Sequence, residues 1–463
     1  MIGKVISMNW TNLLQSQRKY FLKGKTLSIS KRLQALKRLQ EAIREWEPLI
    51  QKALYRDLGK SKTEAYMTEI GIVLEELRYA IRHLKSWSKG QKAAMPLAQF
   101  PSTSYRIPEP YGVVLIMSPW NYPFQLTLLP LVGALAAGNC AVLKPSNYSP
   151  HTSQLLHHLI SSCFPPEYVC VVTGGRKENS ALLEQKFDYI FFTGGVTVGK
   201  LVMQSAARHL TPVTLELGGK SPCLVDHTAN LTMSARRIVF GKYLNAGQTC
   251  VAPDYILVEK SVEKPLLAAL QKAISQFYGR NALDNPDYPK IINSKHFKRL
   301  QGLLDGQTVF CGGSSRPDSL KMEPTVLKDV APGSAIMQEE IFGPLLPVLT
   351  VDSIGEMVSF VRRRAKPLAL YLFSSSQDTI RRILRTVSFG GGCVNDTIIH
   401  LASTRLPFGG VGESGMGSYH GKKSFDTFSH YKSIVKKAAW LDLPMRYPPY
   451  SDQKLKLIRA FLK

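Results

Sequence analysis

The chain has 463 residues, of which 44% are hydrophobic and 20% charged, and this balance fits a soluble globular enzyme of two or three domains. Its seven cysteines form no C-x-x-C or C-x-x-H pair, which argues against a disulfide framework and a structural zinc site. We therefore expect no metal and a reducing, cytoplasmic compartment. Residues 1–20 contain no apolar run of signal-peptide length.

The chain is strongly basic, with 59 Lys and Arg residues against 34 Asp and Glu residues and a net charge of +25. Nucleic acid, an anionic membrane surface or a phosphate-bearing cofactor would each explain this surplus. A solvated basic surface without a partner explains it equally well. The basic residues are dispersed, and no long basic run is interleaved with aromatic residues, so we expect no nucleic-acid partner.

The N-terminal part of the chain shows helical periodicity. Apolar residues recur on one face of Ser30–Ala53 and again of Thr63–Lys85, which predicts two long amphipathic helices. Prolines then interrupt the pattern over Lys89–Ile107, which favours a connector or an edge hairpin.

From Tyr111 onwards, short apolar runs alternate with amphipathic segments. Gly112–Leu143 contains no charged residue, but its prolines and glycines favour a buried strand-loop-helix-strand over a membrane span. The alternation predicts βαβ units and a parallel sheet buried on both faces, which is a Rossmann-like half. The predicted strands are Val113–Met117, Cys140–Leu143, Tyr168–Val172, Asp188–Phe192 and Pro212–Leu217, and the predicted helices are Phe124–Ala137, His151–Cys163, Val198–His209 and a short one that includes Asn179–Leu183.

A second alternation follows and predicts a second α/β half. Its strand-like runs are Ser221–Val225, Tyr255–Val258, Leu346–Val351 and Leu368–Phe373, and its helix-like runs are Leu231–Tyr243, Val262–Phe277, Ile354–Arg363 and Thr379–Val387. Two such halves suggest a ligand cleft at their interface. Lys454–Lys463 reads as a basic amphipathic helix that is too short to span a bilayer.

Three polar residues are candidates for carbonyl chemistry. Cys250 ends the sequence N-A-G-Q-T-C, and a cysteine thiolate is the best protein nucleophile for a carbonyl carbon near neutral pH. Glu216 ends a predicted strand in L-E-L-G-G, where a carboxylate faces the crevice of an open sheet and can take a proton from a thiol or a water. Asn121 follows the Val113–Met117 strand, and its amide can donate to a developing oxyanion. Taken singly, each residue has an ordinary structural explanation, because lone cysteines are usually inert, glutamates are often surface groups, and asparagines favour turns.

A cofactor signal lies between a predicted strand and a predicted helix. Gly194, Gly195 and Gly199 form the pattern G-G-x-x-x-G, and the free N–H groups of a helix N-terminus attract phosphate. The pattern is not the ordinary dinucleotide fingerprint G-x-G-x-x-G. Lys144 offers an ammonium group at the end of another predicted strand.

Together these motifs resemble the aldehyde dehydrogenase superfamily. The segments S-P-W-N, K-P-S, F-T-G, L-E-L-G-G-K, N-A-G-Q-T-C, E-E-I-F-G-P and L-P-F-G-G-V-G occur in the family's order over nearly the whole chain. The sequences around Cys250–Tyr255, Ser418–Lys423 and Arg446–Pro449 are similar to the class 3 branch, which includes the fatty aldehyde dehydrogenases.

The resemblance implies an α/β fold with two Rossmann-like parallel-sheet domains and a small oligomerisation arm. Residues 1–91 and 108–215 would form the NAD(P)-binding domain and residues 216–400 the catalytic domain. Residues 92–107 and 401–435 would form the arm, and 436–463 a C-terminal tail. A homodimer is the usual assembly of this branch.

The resemblance also implies roles for individual residues. Cys250 would be the nucleophile, Glu216 the general base and Asn121 the oxyanion donor. The residues expected to bind NAD or NADP are Lys144, Ser146, Asn147, Gly194, Gly195, Gly199, Glu340 and Phe342. The expected substrate funnel, suited to medium-to-long aliphatic or aromatic aldehydes, comprises Trp120, Tyr122, Ile398 and Ile399. The tail would lie on anionic lipid as a peripheral contact or cover the funnel.

Two positions depart from the family pattern. Asn147 stands where relatives often have a glutamate after K-P-S, and this removes a carboxylate that would repel the 2′-phosphate of NADP. Gly195 stands where many relatives have a serine, so one hydroxyl contact to the phosphates is absent.

Two other functions fit parts of the pattern. An acylating dehydrogenase that passes its thioester to coenzyme A usually lacks the base glutamate, and Glu216 is present. A retired paralogue that acts as a binding protein would have lost Cys250, Asn121 or Glu216, and none is lost.

Overall fold

The computed structural model describes residues 10–96 and 99–462 and contains two main sheets with helices packed against them. The first sheet has six strands, which lie in the spatial order Gly415–Met416, Val213–Leu217, Tyr189–Gly194, Val113–Met117, Cys140–Lys144 and Val169–Val171. All are parallel except Gly415–Met416, which pairs antiparallel with its neighbour. Every residue of Val113–Met117 is buried because the sheet is covered on both faces, which explains its continuous apolar sequence.

The helices of the N-terminal half belong to this sheet. They are Trp10–Leu22, Ile29–Glu45, Glu47–Leu58, Lys62–Ala65, the π-helical turn Tyr66–Ile70, Gly71–Trp87, Gln125–Ala137, Pro150–Cys163, Arg176–Leu183 and Val196–Ala207. All residues of Gln125–Ala137 are buried, so this helix is central rather than amphipathic. It packs against Gly71–Trp87 and against the short helix Lys422–Thr427.

The second sheet has seven strands. Their spatial order is Thr308–Cys311, Thr325–Lys328, Leu345–Val351, Tyr255–Glu259, Pro222–Val225, Ala369–Phe373 and Gly391–Val394. Only Thr308–Cys311 runs antiparallel to its neighbour. The accompanying helices are Leu231–Tyr243, Glu263–Tyr278, Ser294–Leu304, Ile354–Arg362 and Gln377–Thr386. The expectation of an α/β fold with two Rossmann-like parallel sheets is therefore confirmed.

A small third sheet lies outside both halves. The hairpin strands Gln91–Ala93 and Ser102–Pro110 pair antiparallel, and Ser429–Lys437 adds along the whole length of the second one. The chain ends in the helix Asp452–Phe461, and Lys463 of the predicted tail helix lies outside the described residues. No helix in residues 10–96 and 99–462 is long and apolar enough to cross a bilayer.

Several sequence predictions need correction. The expected helix Ser30–Ala53 is two helices, because the chain turns at Trp46 and Pro48 opens the second one. The expected helix Thr63–Lys85 is interrupted by the π-helical turn Tyr66–Ile70. The glycine-dense segment Leu406–Gly417 also contributes a strand that was not predicted, since Gly415–Met416 joins the first sheet.

Candidate active site

The segment that carries Cys250 follows the helix Leu231–Tyr243 and bends sharply. Asn245, Ala246 and Gly247 all have left-handed backbone angles, with φ values of 53°, 50° and 74°. Only glycine fits the third position, since a Cβ on Gly247 would collide with the carbonyl group of Gly343. The strained turn is held by its own neighbours: Gln248 Nε2 donates to the Asn245 carbonyl at 3.0 Å.

Asn121 reaches this turn from the first sheet. Its side-chain Nδ2 donates to the Gln248 carbonyl at 3.0 Å, and its own carbonyl accepts from Asn245 Nδ2 at 2.8 Å. Asn121 is only 2% exposed, and its Oδ1 has no hydrogen-bond partner among the described residues. The structure therefore brings Asn121 and the cysteine segment together through reciprocal hydrogen bonds.

Cys250 is a partly exposed residue, unlike the core cysteines Cys140, Cys163, Cys170 and Cys223. Burial of the site, with a smaller effect from the negative charges of Glu340 and Glu216, raises the pKa of the Cys250 thiol to about 12. The thiol is therefore protonated at neutral pH in the resting protein. Reaction with a carbonyl requires that it lose this proton.

Glu216 lies on Val213–Leu217 between Thr193 and Gly415 of the two neighbouring strands. It is 3% exposed, and neither carboxyl oxygen has a hydrogen-bond partner among the described residues. Burial raises the pKa of Glu216 well above its usual range. A carboxyl group in this environment binds a proton strongly, so it becomes an effective base once water reaches it.

An apolar cavity of about 190 Å³ opens beside the sulfur. Tyr122, Ile398 and Ile399 line it as expected, and the Tyr122 hydroxyl hydrogen-bonds the Thr249 hydroxyl at 2.6 Å. Most residues that line the cavity carry no sequence motif and were not predicted. They are Met67, Thr68, Ile72, Gln125, Leu126, Phe240, Leu244, Val251, Leu401, Ala402, Phe408, Tyr419 and His420. These residues come from distant segments, so no local pattern marks them.

Trp120 does not line this cavity. Its ring packs against His296 and edge-on against Phe342, with centroid distances of 5.0 and 5.3 Å. The chain bends at Trp120 and Asn121, so the rule that alternate side chains share a side does not apply here. Trp120 therefore supports Phe342, and its expected place in the funnel needs correction.

Glu340 and Phe342 are not part of this cavity lining, but the Glu340 carboxyl is near enough to act on the Cys250 thiol. The Glu340 carboxylate accepts a hydrogen bond from the Gly219 N–H, and burial raises the pKa of Glu340 to about 8. A Cβ on Gly218 would collide with this carboxylate, which explains the glycine directly after Leu217. Glu340 Oε1 is buried and has no hydrogen-bond partner in the described part of the chain. It can therefore accept a hydrogen bond from a ligand hydroxyl.

Lys144 ends the strand Cys140–Lys144 and is 3% exposed. Its Nζ donates to the carbonyls of Pro145 and Gly174 at 2.9 and 2.7 Å, and its third proton has no partner among the described residues. Burial lowers the pKa of Lys144 to about 8. Ser146 Oγ accepts from the Tyr148 N–H at 3.2 Å, so it caps the turn that presents Asn147.

A second cavity of about 400 Å³ lies beside this turn. Its lining includes Asn147, Pro150, Ser153, Gln154, His157, His158, Thr173 and Gly174. Asn147 is exposed at the edge of this cavity. The size and the open polar rim suit the adenosine end of a dinucleotide.

The three glycines of the phosphate motif have different structural roles. Gly195 caps the N-terminus of Val196–Ala207, and a Cβ there would meet open space, so a phosphate has room above the helix. A Cβ on Gly199 would collide with Leu217, so this glycine lets the helix approach its sheet. Gly194 ends its strand against the Phe192 ring. Together with the unpaired Glu340 oxygen and Lys144 proton, these residues fit NAD or NADP.

Comparisons with known proteins agree with this geometry. The model of the aldehyde dehydrogenase family matches residues 8–434. The chain is 51% identical to the 4,4'-diaponeurosporen-aldehyde dehydrogenase of Staphylococcus aureus, over 96% of this chain and 97% of the relative. It is 46% identical to the dimeric NADP-preferring aldehyde dehydrogenase of Rattus norvegicus, over 95% and 97%. The solved substrate-bound state of Staphylococcus aureus AldH has a TM-score of 0.97 at 50% identity and covers 98% of this chain and 99% of its own.

The raised pKa of the Cys250 thiol leads to a testable prediction for the resting protein. Its alkylation by iodoacetamide should accelerate about tenfold per pH unit and show no plateau below the ordinary cysteine value of about 8.5, because only the thiolate reacts. The rate is measured by mass spectrometry of the Cys250 peptide. The same peptide in denatured protein serves as the control, where the rate should level off near pH ~8.5. A plateau near neutral pH in the folded protein would contradict the burial argument.

Proposed function

Because the chain belongs to the aldehyde dehydrogenase family, whose members oxidise aldehydes with NAD or NADP, we propose that Cys250, Asn121 and Glu216 carry out this oxidation through a covalent thioester. The observation that carries the proposal is the pair of hydrogen bonds between Asn121 and the turn that ends in Cys250. It ties Asn121, whose amide would bind the carbonyl oxygen, to the segment of Cys250, which lines the apolar cavity.

The first step is addition to the aldehyde. The thiol proton leaves through water, the sulfur forms a bond to the carbonyl carbon, and the carbonyl electron pair moves to oxygen. Asn121 Nδ2 and the Cys250 backbone N–H donate hydrogen bonds to this oxyanion. The apolar wall around Leu126 and Val251 excludes water and strengthens these hydrogen bonds.

The second step transfers hydride and the third releases the acid. Lys144 and Glu340 would hold NAD or NADP, which would supply the hydride acceptor. Loss of hydride from the substrate carbon, as the carbonyl double bond re-forms, would leave an acyl group on Cys250 as a thioester. Glu216 then takes a proton from a water molecule as that water attacks the acyl carbon. The carbon–sulfur bond breaks as the carbonyl double bond re-forms, the proton of the acid passes to the departing sulfur, and the carboxylate product and the Cys250 thiol separate.

Substitution of the two reacting groups tests these roles. Cys250→Ala should abolish aldehyde-dependent formation of reduced cofactor, because no other group in the cavity forms the covalent adduct. Glu216→Gln should leave a burst of about one reduced cofactor per site but slow the steady state by about 10²–10⁴-fold, since only hydrolysis needs the base. Rapid-mixing absorbance of the reduced nicotinamide measures both.

Cys311→Ala is the matched control, because Cys311 is also a partly exposed cysteine but lies on a strand of the second sheet. It should behave as the native protein. Steady reduced-cofactor formation by Cys250→Ala would refute the nucleophile, and an equal loss of burst and steady state in Glu216→Gln would refute the hydrolytic base.

The cavity supports medium-to-long aliphatic or aromatic aldehydes as substrates. Its wall is almost wholly apolar, and each buried methylene contributes about 0.8 kcal/mol, or roughly fourfold in kcat/KM. The value of kcat/KM should therefore rise along the series from propanal to decanal until the cavity is filled. A flat or falling series would contradict the proposal.

Ile399→Ala probes the mouth of the cavity, where Ile399 is 54% exposed and can be shortened without loss of core packing. It should lower kcat/KM for decanal several-fold and leave propanal unchanged. Leu384→Ala, at an equally exposed leucine on the distant helix Gln377–Thr386, is the control and should change neither value.

The small sheet supports the proposed assembly and domain division. We infer an NAD(P)-binding domain of residues 1–91 and 108–215, a catalytic domain of 216–400, an arm of 92–107 and 401–435, and a tail of 436–463. Ser429–Lys437 has no strand partner on its outer edge among the described residues, and Ile434 and Val435 are exposed beside it. A second copy would cover this edge in a homodimer, and sedimentation of the full chain as a single-chain particle would argue against it.

The C-terminal helix supports a peripheral contact of an otherwise cytoplasmic protein with anionic lipid. Asp452–Phe461 exposes Leu455 and Leu457 beside Lys454, Lys456 and Arg459. Glutamate at the three basic positions should therefore weaken binding to phosphatidylserine vesicles by at least tenfold in a flotation assay. Cell fractionation with and without salt tests the compartment.

The matched control carries the same charge change on another exposed helix, at Arg381, Arg382 and Arg385. If the tail is the contact, this control should bind vesicles nearly as well as the native protein. Equal losses in the two variants would show that only net charge matters, and the tail would then have no specific role.

A further inference from the structure

Beneath the candidate oxyanion site lies an ion pair that is completely buried. Lys60 Nζ and Glu69 Oε1 are 2.5 Å apart, and both side chains are 0% exposed. Burial of two charges is costly, and well-packed apolar side chains often give equal or greater stability at such positions. The pair therefore calls for an explanation other than stability.

All the other hydrogen bonds of the pair go to one short segment, Asn121–Gln125. Lys60 Nζ donates to the Asn121 carbonyl at 3.0 Å. Glu69 Oε2 accepts from the backbone N–H groups of Phe124 and Gln125 at 2.9 and 3.2 Å. The lysine thus holds the start of the segment and the glutamate holds its end, where the helix Gln125–Ala137 begins.

The backbone next to Lys60 and the backbone that carries Glu69 both depart from a regular α-helix. Gly59 has a φ of 72°, which ends the helix Glu47–Leu58 and turns the chain inward at Lys60. Glu69 lies in the π-helical turn Tyr66–Ile70, and such turns are frequent at functional sites. The Lys60 ammonium also lies 4.0 Å from the centre of the Tyr122 ring, a wall of the cavity.

A residue between Lys60 and Glu69 also contacts the left-handed turn that precedes Cys250. Glu64 Oε1 accepts from the Asn245 backbone N–H at 2.8 Å, at the start of the left-handed turn. The side chain of Asn121 has only one hydrogen bond among the described residues, from Nδ2 to the Gln248 carbonyl. The direction of its amide therefore depends on how firmly the Asn121 backbone is held.

We propose that the buried Lys60–Glu69 pair is the positioning element that fixes the oxyanion-binding amide of Asn121. This inference rests on the proposed function, because it assigns the pair to the amide that binds the oxyanion. Loss of the ammonium frees the Asn121 carbonyl from one of its two donors and leaves Glu69 unpaired beside the segment. A loosely held donor loses much of its catalytic effect, since the hydrogen bond must already be aligned when charge develops on the substrate oxygen.

A double-mutant cycle separates this role from a general structural one. Lys60→Met should lower kcat about 10–100-fold and change the cofactor KM by less than about threefold. In an Asn121→Ala background, Lys60→Met should cost less than about threefold more, because the amide that it positions is already gone. Equal losses in the two backgrounds, or no loss in the native one, would overturn the proposal.

The matched control is Lys62→Met, which removes an exposed lysine two positions away and should leave kcat unchanged. If Lys60→Met does not fold, Glu69→Gln carries the same cycle, because it removes the charge and keeps the shape. It should show the same dependence on Asn121, and additive losses would again refute the role.

The two proposals fail in different ways. If the native protein forms no reduced cofactor from any aldehyde, the proposed function fails. If the native protein is active and Asn121→Ala is impaired, but the Lys60 and Glu69 variants lose the same factor with and without Asn121, only the positioning role fails.

Discussion

The reciprocal hydrogen bonds between Asn121 and the Asn245–Gln248 turn are the constraint on which the rest of the site depends. One partner follows a strand of the first sheet, and the other precedes a strand of the second. Neither segment has a regular backbone, so each would be poorly fixed alone. Joined, they link the two sheets next to the apolar cavity that Cys250 lines.

The electrostatics of this junction favour an uncharged resting state. Burial favours the neutral forms of the Cys250 thiol, the Glu216 carboxyl and the Glu340 carboxyl. Two of these groups also have carboxyl oxygens without partners in the described residues. A site with unused hydrogen-bonding capacity and few charges binds an uncharged carbonyl compound without a large desolvation cost, and it develops charge only as the reaction proceeds.

Much of the fold could be predicted from the sequence, because strands buried on both faces must be apolar throughout and their boundaries are therefore visible. The prediction for Val113–Met117 matches the structure residue for residue. Gly391–Val394 was missed because a strand with two glycines carries no such signal, and Gly415–Met416 was missed because two residues cannot show a period. Cys250, Glu216 and Asn121, to which the reaction is assigned by proposal, were singled out through their motifs. Lys60 and Glu69 were not, since a charged residue in a helical region reads as a surface residue until its neighbours in space are known.

Because Gly415–Met416 pairs beside Glu216, the environment of this glutamate depends on residues that are distant in the chain. Glu216 sits in the middle of the chain, yet one of its two flanking strands comes from near the carboxyl terminus. During synthesis, the ribosome delivers both α/β halves before that strand exists, and its pairing closes a long loop late in folding. A nascent or truncated chain that stops before Gly415 therefore has its cysteine segment and its dinucleotide-binding strands but an open sheet edge at the glutamate. The hydrolytic step proposed for Glu216 would therefore be completed last, which would couple turnover to the integrity of the distal end of the protein.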